Sequence, residues 1–229
     1  MRNNKTATPK IITFTSDFGL EDPFVGVVKG VILNINPNAI IVDITHLIPP
    51  QDILQAALVL RFSYRFFPPG TIHLAIVDPG VGSSRNPIVI ESPPYFFVGP
   101  DNGIFSFVLE ENFSAYLIEN RQFLLPDISQ TFHGRDIFAP IAGHLSLGVS
   151  PSCFGRKIEE IEKLAFPQPK IMGNTIVGQI LTFDRFGNAI TNISADLLGE
   201  HTNVKIKVKD TVIEGLRFSY SEKPPLAPL

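Results

Sequence analysis

Residues Ala75–Arg85 read AIVDPGVGSSR. The apolar run Leu74–Val77 delivers Asp78 to a sharp stop, and Pro79, Gly80 and Gly82 turn the chain before Ser83, Ser84 and Arg85. A carboxylate at the carboxyl end of a buried strand is where open α/β sheets hold their ligands. The glycine-rich bend lets Arg85 fold back toward Asp78, so that a permanent cation keeps the anion charged and aimed. The same residues also suit a plain tight turn with a surface arginine, and the flanking chain decides between the two.

Upstream, Ile11–Thr15 is a short apolar run that opens into Ser16-Asp17-Phe18-Gly19, a strand ending in a second acid. Pro23–Ile35 carries Phe24, Val27, Val28, Val31 and Ile32 at helical spacing, and Asn36-Pro37-Asn38 stops it. Ala39–Ile44 reads as the second strand, with Asp43, Thr45 and His46 at its end. Asp52 is placed to cap a second helix reaching about Phe66, and Pro68-Pro69-Gly70 closes it before the third strand, Thr71–Val77. The order β-α-β-α-β with near-continuous apolar strands predicts a mostly parallel sheet covered by helices on both faces.

Downstream, Asn86–Glu91, Tyr95–Val98 and Ala115–Ile118 read as further strands. Gly99-Pro100-Asp101-Asn102-Gly103 is a polar turn expected to start a helix over Ile104–Leu109, with Asp101 either its N-cap or a ligand contact. Thr131-Phe132-His133-Gly134-Arg135-Asp136 precedes an amphipathic helix, Ile137–Leu147, whose N-terminus Gly134 would open to a ligand. The chain is thus read as an α/β domain over 11–151, a charged, Pro-bearing linker over 152–173, and a smaller all-β domain, barrel or sandwich, over 174–229. Its strands are expected at Ile176–Phe183, Ala189–Ile193, Val204–Val208, Thr211–Ile213 and Leu216–Tyr220, with the turn Asp184-Arg185-Phe186-Gly187-Asn188 between the first two.

Nineteen basic against 22 acidic side chains, net −3, leave no field to recruit nucleic acid or an anionic membrane. Cys153 is the only cysteine, which excludes an intrachain disulfide and fits a reducing compartment. No apolar leader is evident at the start, and no segment approaches the roughly 20 apolar residues of a membrane span, so a cytoplasmic protein is expected.

Several chemistries can be weighed. Asp17, Asp43, His46, Asp78, His133 and Asp136 are candidate metal ligands, but no H-E-x-x-H helix or cysteine cluster accompanies them, and no metal is expected. There is no G-x-S-x-G elbow, no phosphate-cradling G-x-x-x-x-G-K-[ST] loop and no G-x-G-x-x-G after the first strand. What remains is Asp17, Asp78 with Arg85, Asn102, His133 and the Asp184–Asn188 turn. Acids take vicinal ribose hydroxyls, an amide reads a heterocycle edge and an aromatic packs on either, so a nucleoside site is expected.

Ser16-Asp17-Phe18-Gly19, Val77–Gly82 with Arg85, Gly99–Gly103, Thr131–Asp136, and Phe186-Gly187-Asn188 with Thr191-Asn192 together resemble the S-adenosyl-L-methionine hydroxide adenosyltransferase family. These are S-adenosylmethionine hydrolases, once filed as a domain of unknown function and related to the fluorinating and chlorinating adenosyltransferases. The likeness runs from about Ile11 to Tyr220 with every motif in order. It implies an α/β domain, a C-terminal β domain and a homotrimer whose sites lie where one subunit's N-terminal domain meets its neighbour's C-terminal domain. By position, Asp78, Arg85 and His133 match the family's catalytic set, Asp17 its ribose-binding acid, Asn188 the amide at adenine, and Asp184 an acid near the methionine ammonium. Phe186 falls in the same substrate-binding turn. In the fluorinating branch a tyrosine stands at the place of Asp78 and a tyrosine-serine pair at that of His133-Gly134, so the residues here resemble the water-using branch. Family members run on past the last strand into an Asn-Ser-x-Gly-Tyr-Leu segment that contacts adenine and the methionine carboxylate, whereas this sequence closes at Pro225–Leu229, and the β domain is expected to be incomplete there.

The resemblance implies cleavage of S-adenosyl-L-methionine to adenosine and L-methionine by water attacking the ribose C5′, with no cofactor. The thioether leaves neutral and needs no acid, so the task lies in activating water, to which Asp78, Arg85 and His133 all suit. Two alternatives are a non-catalytic binder of S-adenosylmethionine or adenosine and a halide-using adenosyltransferase.

Overall fold

The first apolar run forms β1 (Ile11–Ser16), followed by α1 (Phe24–Ile35), β2 (Ile40–Thr45), α2 (Ile53–Ser63) and β3 (Ile72–Ile76). These come from a computed structural model that describes residues 11–199 and 204–215. The remaining strands of the main sheet are β4 (Pro87–Ser92), β5 (Tyr95–Pro100), β6 (Ser114–Leu117) and β7 (Lys157–Ile158), and the last long helix is α3 (Ala139–Ser146). Seven strands pair in the order β2-β1-β3-β5-β4-β6-β7. The first four in that order are parallel, and β4, β6 and β7 extend the sheet antiparallel.

The period of two along each strand sends alternate side chains to opposite faces. Ile12, Phe14, Leu74, Ile76 and Val98 pack with Val28 and Ile32 of α1 and Ile141 and Leu145 of α3. Ala75, Val77, Ile88, Ile90 and Phe97 pack on the other side with Ala56 and Leu60 of α2. The expected sheet with helices on both faces is therefore the observed one.

Local chemistry sets the helix ends. Asp52 caps α2 by accepting from Gln55 N at 2.9 Å. The helix expected over Ile137–Leu147 is entered through a π-turn, Gly134–Phe138, before α3. Pro140 has no N–H to give the Asp136 carbonyl, which instead accepts from Leu125 N at 3.1 Å. The helix expected over Ile104–Leu109 does not form. Asn102 Oδ1 takes the Ile104 N–H, Ser106 Oγ donates to Gly103 O, and the segment becomes a run of turns.

By contacts the chain divides into two compact units, 1–166 and 167–229. Of the stretch expected as linker, Lys157–Ile158 pairs with β6 as the sheet's last strand, and Lys170–Met172 begins a hairpin of the second unit. Among its described residues, the second unit pairs as three two-stranded antiparallel hairpins: Lys170–Met172 with Thr175–Val177, Ile180–Phe183 with Ala189–Thr191, and Lys205–Val208 with Thr211–Glu214. The single strand expected over Ile176–Phe183 is broken at Gly178, which packs so tightly on Asn192 and Ile193 that a Cβ there would lie 2.5 Å from each. A short helix, Ala195–Leu198, precedes the last of these hairpins, where the sequence reading places no helix. The strand expected at Leu216–Tyr220, and the C-terminal end expected to be incomplete, lie outside the described residues.

Candidate active site

The chain runs from β1 outward to β2 and then returns across β1 to place β3 on its other side. That reversal leaves a crevice beyond the carboxyl ends of β1 and β3, the place where open α/β sheets bind ligands. A cleft of about 280 Å³ opens there, lined by Asp17 and Phe18 after β1, Asp78 after β3, and Phe132, His133 and Gly134 before α3.

Each wall has a local cause. Asp17 Oδ2 accepts from Gln51 N at 2.9 Å. Gln51 holds a left-handed φ of 66°, a conformation non-glycine residues rarely adopt, and it also lines the cleft. The Phe18 ring meets Phe14, Phe24 and Phe132 edge-on, with centroids 5.9–6.2 Å apart, which makes one side of the cleft aromatic.

Opposite it, the bend after β3 folds Arg85 back onto Asp78. Arg85 Nε donates to Asp78 Oδ1 at 3.0 Å, and Nη2 donates to Oδ2, giving a two-pronged ion pair. Both side chains are more than nine-tenths buried. Ser83 shapes the bend by donating to Gly80 O at 2.6 Å and accepting from Arg85 N at 3.2 Å. Gly82, at φ 75°, presses against the 129–131 loop so closely that a Cβ would lie 2.3 Å from Gln130 O. The two loops are thereby locked together, and Arg85 Nη2 comes 3.2 Å from His133 Nδ1.

A guanidinium has five donors and no lone pair, so in that contact His133 Nδ1 accepts. The imidazole is accordingly neutral, with its proton on Nε2. Burial lowers the His133 pKa below its ordinary value, and the nearby Arg85 charge lowers it further against the pull of Asp78 and Asp136. Asp78 moves the other way, because burial raises its carboxyl above the usual range despite Arg85. The loop before His133 is anchored by Asp136, fully buried, which accepts from Arg135 Nε at 2.5 Å and Nη2 at 3.0 Å and from Ser129 N at 2.8 Å.

The other residues singled out from the sequence have partners of their own. Asn102 is not among the residues lining the cleft; its Nδ2 donates to Val77 O at 2.8 Å and fixes the end of β3 beside Asp78. Asp101 is neither cap nor cleft residue, since its Oδ1 accepts from Glu162 N at 2.8 Å. In the second unit, Asp184 closes its own turn: it accepts from Phe186 N, Asn188 N and Asn188 Nδ2 at 2.6–2.9 Å, while Phe186 stands 89% exposed. Phe18, Gln51 and Phe132 also line the cleft; Phe18 and Phe132 adjoin Asp17 and His133 in sequence, which is the signal that points to them, whereas nothing local to Gln51 does. Among the described residues, no group of three or more His, Cys, Asp or Glu side chains is arranged to hold a metal ion.

The chain is similar to an (R)-S-adenosyl-L-methionine hydrolase of Thermus thermophilus, 40% identical over 224 residues that cover 91% of this chain and 87% of that protein. A more distant relative, a fluorinase of an Actinoplanes species, is 29% identical over 212 residues, covering 80% and 71% of the two chains. The crystal structure of an uncharacterized conserved protein from Thermotoga maritima superposes with a TM-score of 0.87 at 37% identity, over 93% of this chain and 84% of that one. The description "SAM hydroxide adenosyltransferase" fits the N-terminal domain over residues 12–155 and the C-terminal domain over 178–229, so that nearly the whole chain, cleft included, belongs to the SAM hydroxide adenosyltransferase family.

Proposed function

We propose that the protein hydrolyses S-adenosyl-L-methionine to adenosine and L-methionine. One observation carries the reading: Asp78, Arg85 and His133, from loops 48 residues apart, meet as one hydrogen-bonded cluster at a nucleoside-sized cleft. Membership of the family and 40% identity to a hydrolase of that substrate support it.

Water attacks the ribose C5′ from the side opposite the sulfonium, the carbon–sulfur bond breaks with its electron pair going to sulfur, and methionine leaves as a neutral thioether. The attacking water loses a proton, and Asp78 takes it. Its raised pKa makes it a stronger base than an ordinary carboxylate, and the neutral His133, whose Nδ1 is occupied by Arg85, offers Nε2–H as a donor that orients the water. Arg85 holds both groups and favours hydroxide character in the water. Asp17 receives the ribose hydroxyls between the aromatic wall and the Gln51 backbone.

The protein further works as a homotrimer in the cytoplasm, with Asp184, Phe186 and Asn188 of one subunit completing the cleft of its neighbour. Support comes from the resemblance of the Asp184–Asn188 turn to the family's substrate-binding turn and from the exposure of Phe186. Incubation with S-adenosylmethionine, with and without halide, followed by chromatography tests the reaction. Adenosine is the expected product, a 5′-halogenated nucleoside indicates a halide-using transferase, and binding without turnover indicates a binding protein. Sedimentation velocity tests the trimer.

A further inference from the structure

A second polar chain lies behind the cleft, outside the Asp78–Arg85–His133 cluster. Lys29 Nζ of α1 pairs with Asp43 Oδ2 of β2 at 2.5 Å, and Asp43 Oδ1 lies 3.0 Å from His46 Nε2. On the other side of the same ring, His46 Nδ1 is 2.8 Å from Ser16 Oγ, and Ser16 Oγ accepts from Phe18 N at 3.4 Å. The His46 carbonyl accepts from Gly19 N at 2.8 Å. Ser16 and His46 are both buried, and Phe14 packs edge-on to the imidazole with centroids 4.6 Å apart.

The direction of these contacts follows from their ends. Lys29 is a donor only and Asp43 carries a carboxylate: burial raises its pKa, but the Lys29 and His46 contacts outweigh that and leave it lowered. The Asp43 carboxylate, 3.0 Å from Nε2 but outside hydrogen-bond geometry, favours the His46 proton on that nitrogen by its charge, which leaves Nδ1 to accept the Ser16 hydroxyl and Ser16 Oγ to accept the Phe18 N–H. His46 therefore grips the turn after β1 twice, through Ser16 before Asp17 and through Gly19 after it. The Lys29–Asp43–His46–Ser16 series does not itself meet substrate, since Ser16 is fully buried and none of the four is among the residues lining the cleft.

We propose that His46 is a positioning residue for Asp17: by holding Ser16 and Gly19 on either side, it fixes the carboxylate where the ribose hydroxyls arrive, with Asp43 and Lys29 setting its tautomer. This rests on the reading of Asp17 as the ribose-binding acid. A residue acting through Asp17 on a contact made equally in ground and transition state changes KM and leaves kcat alone.

The test is steady-state adenosine release by Ser16→Ala, His46→Ala and His46→Asn, with circular dichroism to confirm folding. Ser16→Ala and His46→Ala are expected to raise KM roughly tenfold, the worth of one well-made hydrogen bond, with kcat within about threefold of wild type. His46→Asn, whose amide can accept the Ser16 hydroxyl at the Nδ1 position, is expected to recover most of that loss. Should His46→Ala not fold, Ser16→Ala and His46→Asn suffice. An unchanged KM in folded Ser16→Ala, or a loss confined to kcat, overturns the role while the wild type still releases adenosine. If the wild type itself releases none, the hydrolase reading fails, and the positioning role falls with it.

Discussion

Arg85 donates to His133 Nδ1 at 3.2 Å with the same Nη2 that grips Asp78, so a single nitrogen ties the carboxylate to the imidazole. Because the guanidinium can only donate, His133 keeps its proton on Nε2, and the proposed mechanism then uses that N–H as a donor to the water and Asp78 as the proton acceptor. Replacing either with alanine should lower turnover by on the order of 10² or more, with S-adenosylmethionine affinity moving less than about threefold. His133→Gln, which keeps an N–H near the Nε2 position, should lose only about tenfold. Single-turnover adenosine release and calorimetric binding measure the two quantities, and equal losses in His133→Ala and His133→Gln would mean that the imidazole is the base.

Arg85 opposes the effect of burial on Asp78. Removing the charge with Arg85→Gln should therefore raise the Asp78 pKa further, and the acid limb of kcat/KM should move to higher pH. Arg85→Lys keeps a charge but loses the fork that reaches Asp78 through two nitrogens, and turnover should fall by about 10-fold or more. An acid limb that stays in place in Arg85→Gln would show that Asp78 is not the group titrating there.

Gly82→Ala tests the lock between the two loops. The added Cβ would lie 2.3 Å from Gln130 O at a φ of 75°, so the loops must separate. Gly70 has a comparable φ of 87° with nothing within 4 Å of its would-be Cβ, and serves as the control for backbone strain alone. Both alanine variants should cost about 1 kcal/mol or more in chemical denaturation, but only Gly82→Ala should also lose most of its turnover. Matching activity in the two would separate the loop contact from catalysis.

His73 is expected to contribute to acid sensitivity, as its pKa is the one pulled furthest down among the described histidines. It is buried, bonded through Nδ1 to Thr13 Oγ1 at 2.8 Å, stacked on Phe97 and ringed by Tyr64 and Tyr95, and burial pulls its pKa down to about 4. The unfolded chain takes up a proton near pH 6.5 that the folded chain refuses until about pH 4, so stability is lost as pH falls through that window, by up to roughly 3 kcal/mol. Urea midpoints measured between pH 7 and pH 4.5 should decline more steeply for wild type than for His73→Phe. Parallel slopes would assign the acid sensitivity to other groups.

How much of this was legible in the sequence depends on the kind of signal each element leaves. β1 and β3 are buried on both faces and so run as largely apolar stretches, broken only by Thr13, Thr15, Ser16 and His73, that lead into Asp17 and Asp78, and Asp52 and Pro68 punctuate α2. Ile104, Phe105 and Val108 repeat at helical spacing and are indeed core, but Asn102 and Ser106 capture the backbone groups a helix would need, and a side chain's choice of backbone partner is not written in hydrophobic periodicity. β7 is two residues long and joins the sheet through backbone pairing with β6, which leaves no compositional mark. At the site, the nearness of Asp78 and Arg85 followed from one short bend, whereas the role of Asn102 as a brace for Val77 and the bond from Gln51 to Asp17 depend on long-range packing.

The reversal of strand order at β1 has an evolutionary corollary. The sheet is knit by main-chain amides and carbonyls, while positions 17 and 78 lie just beyond the last paired residues of β1 and β3 and position 133 lies at the start of the π-turn before α3, so exchanging their side chains leaves the strand register untouched. One scaffold can thus be refitted for a different attacking species by editing a few loop positions, and the kinship of this chain with a fluorinase at 29% identity is the outcome such a layout allows.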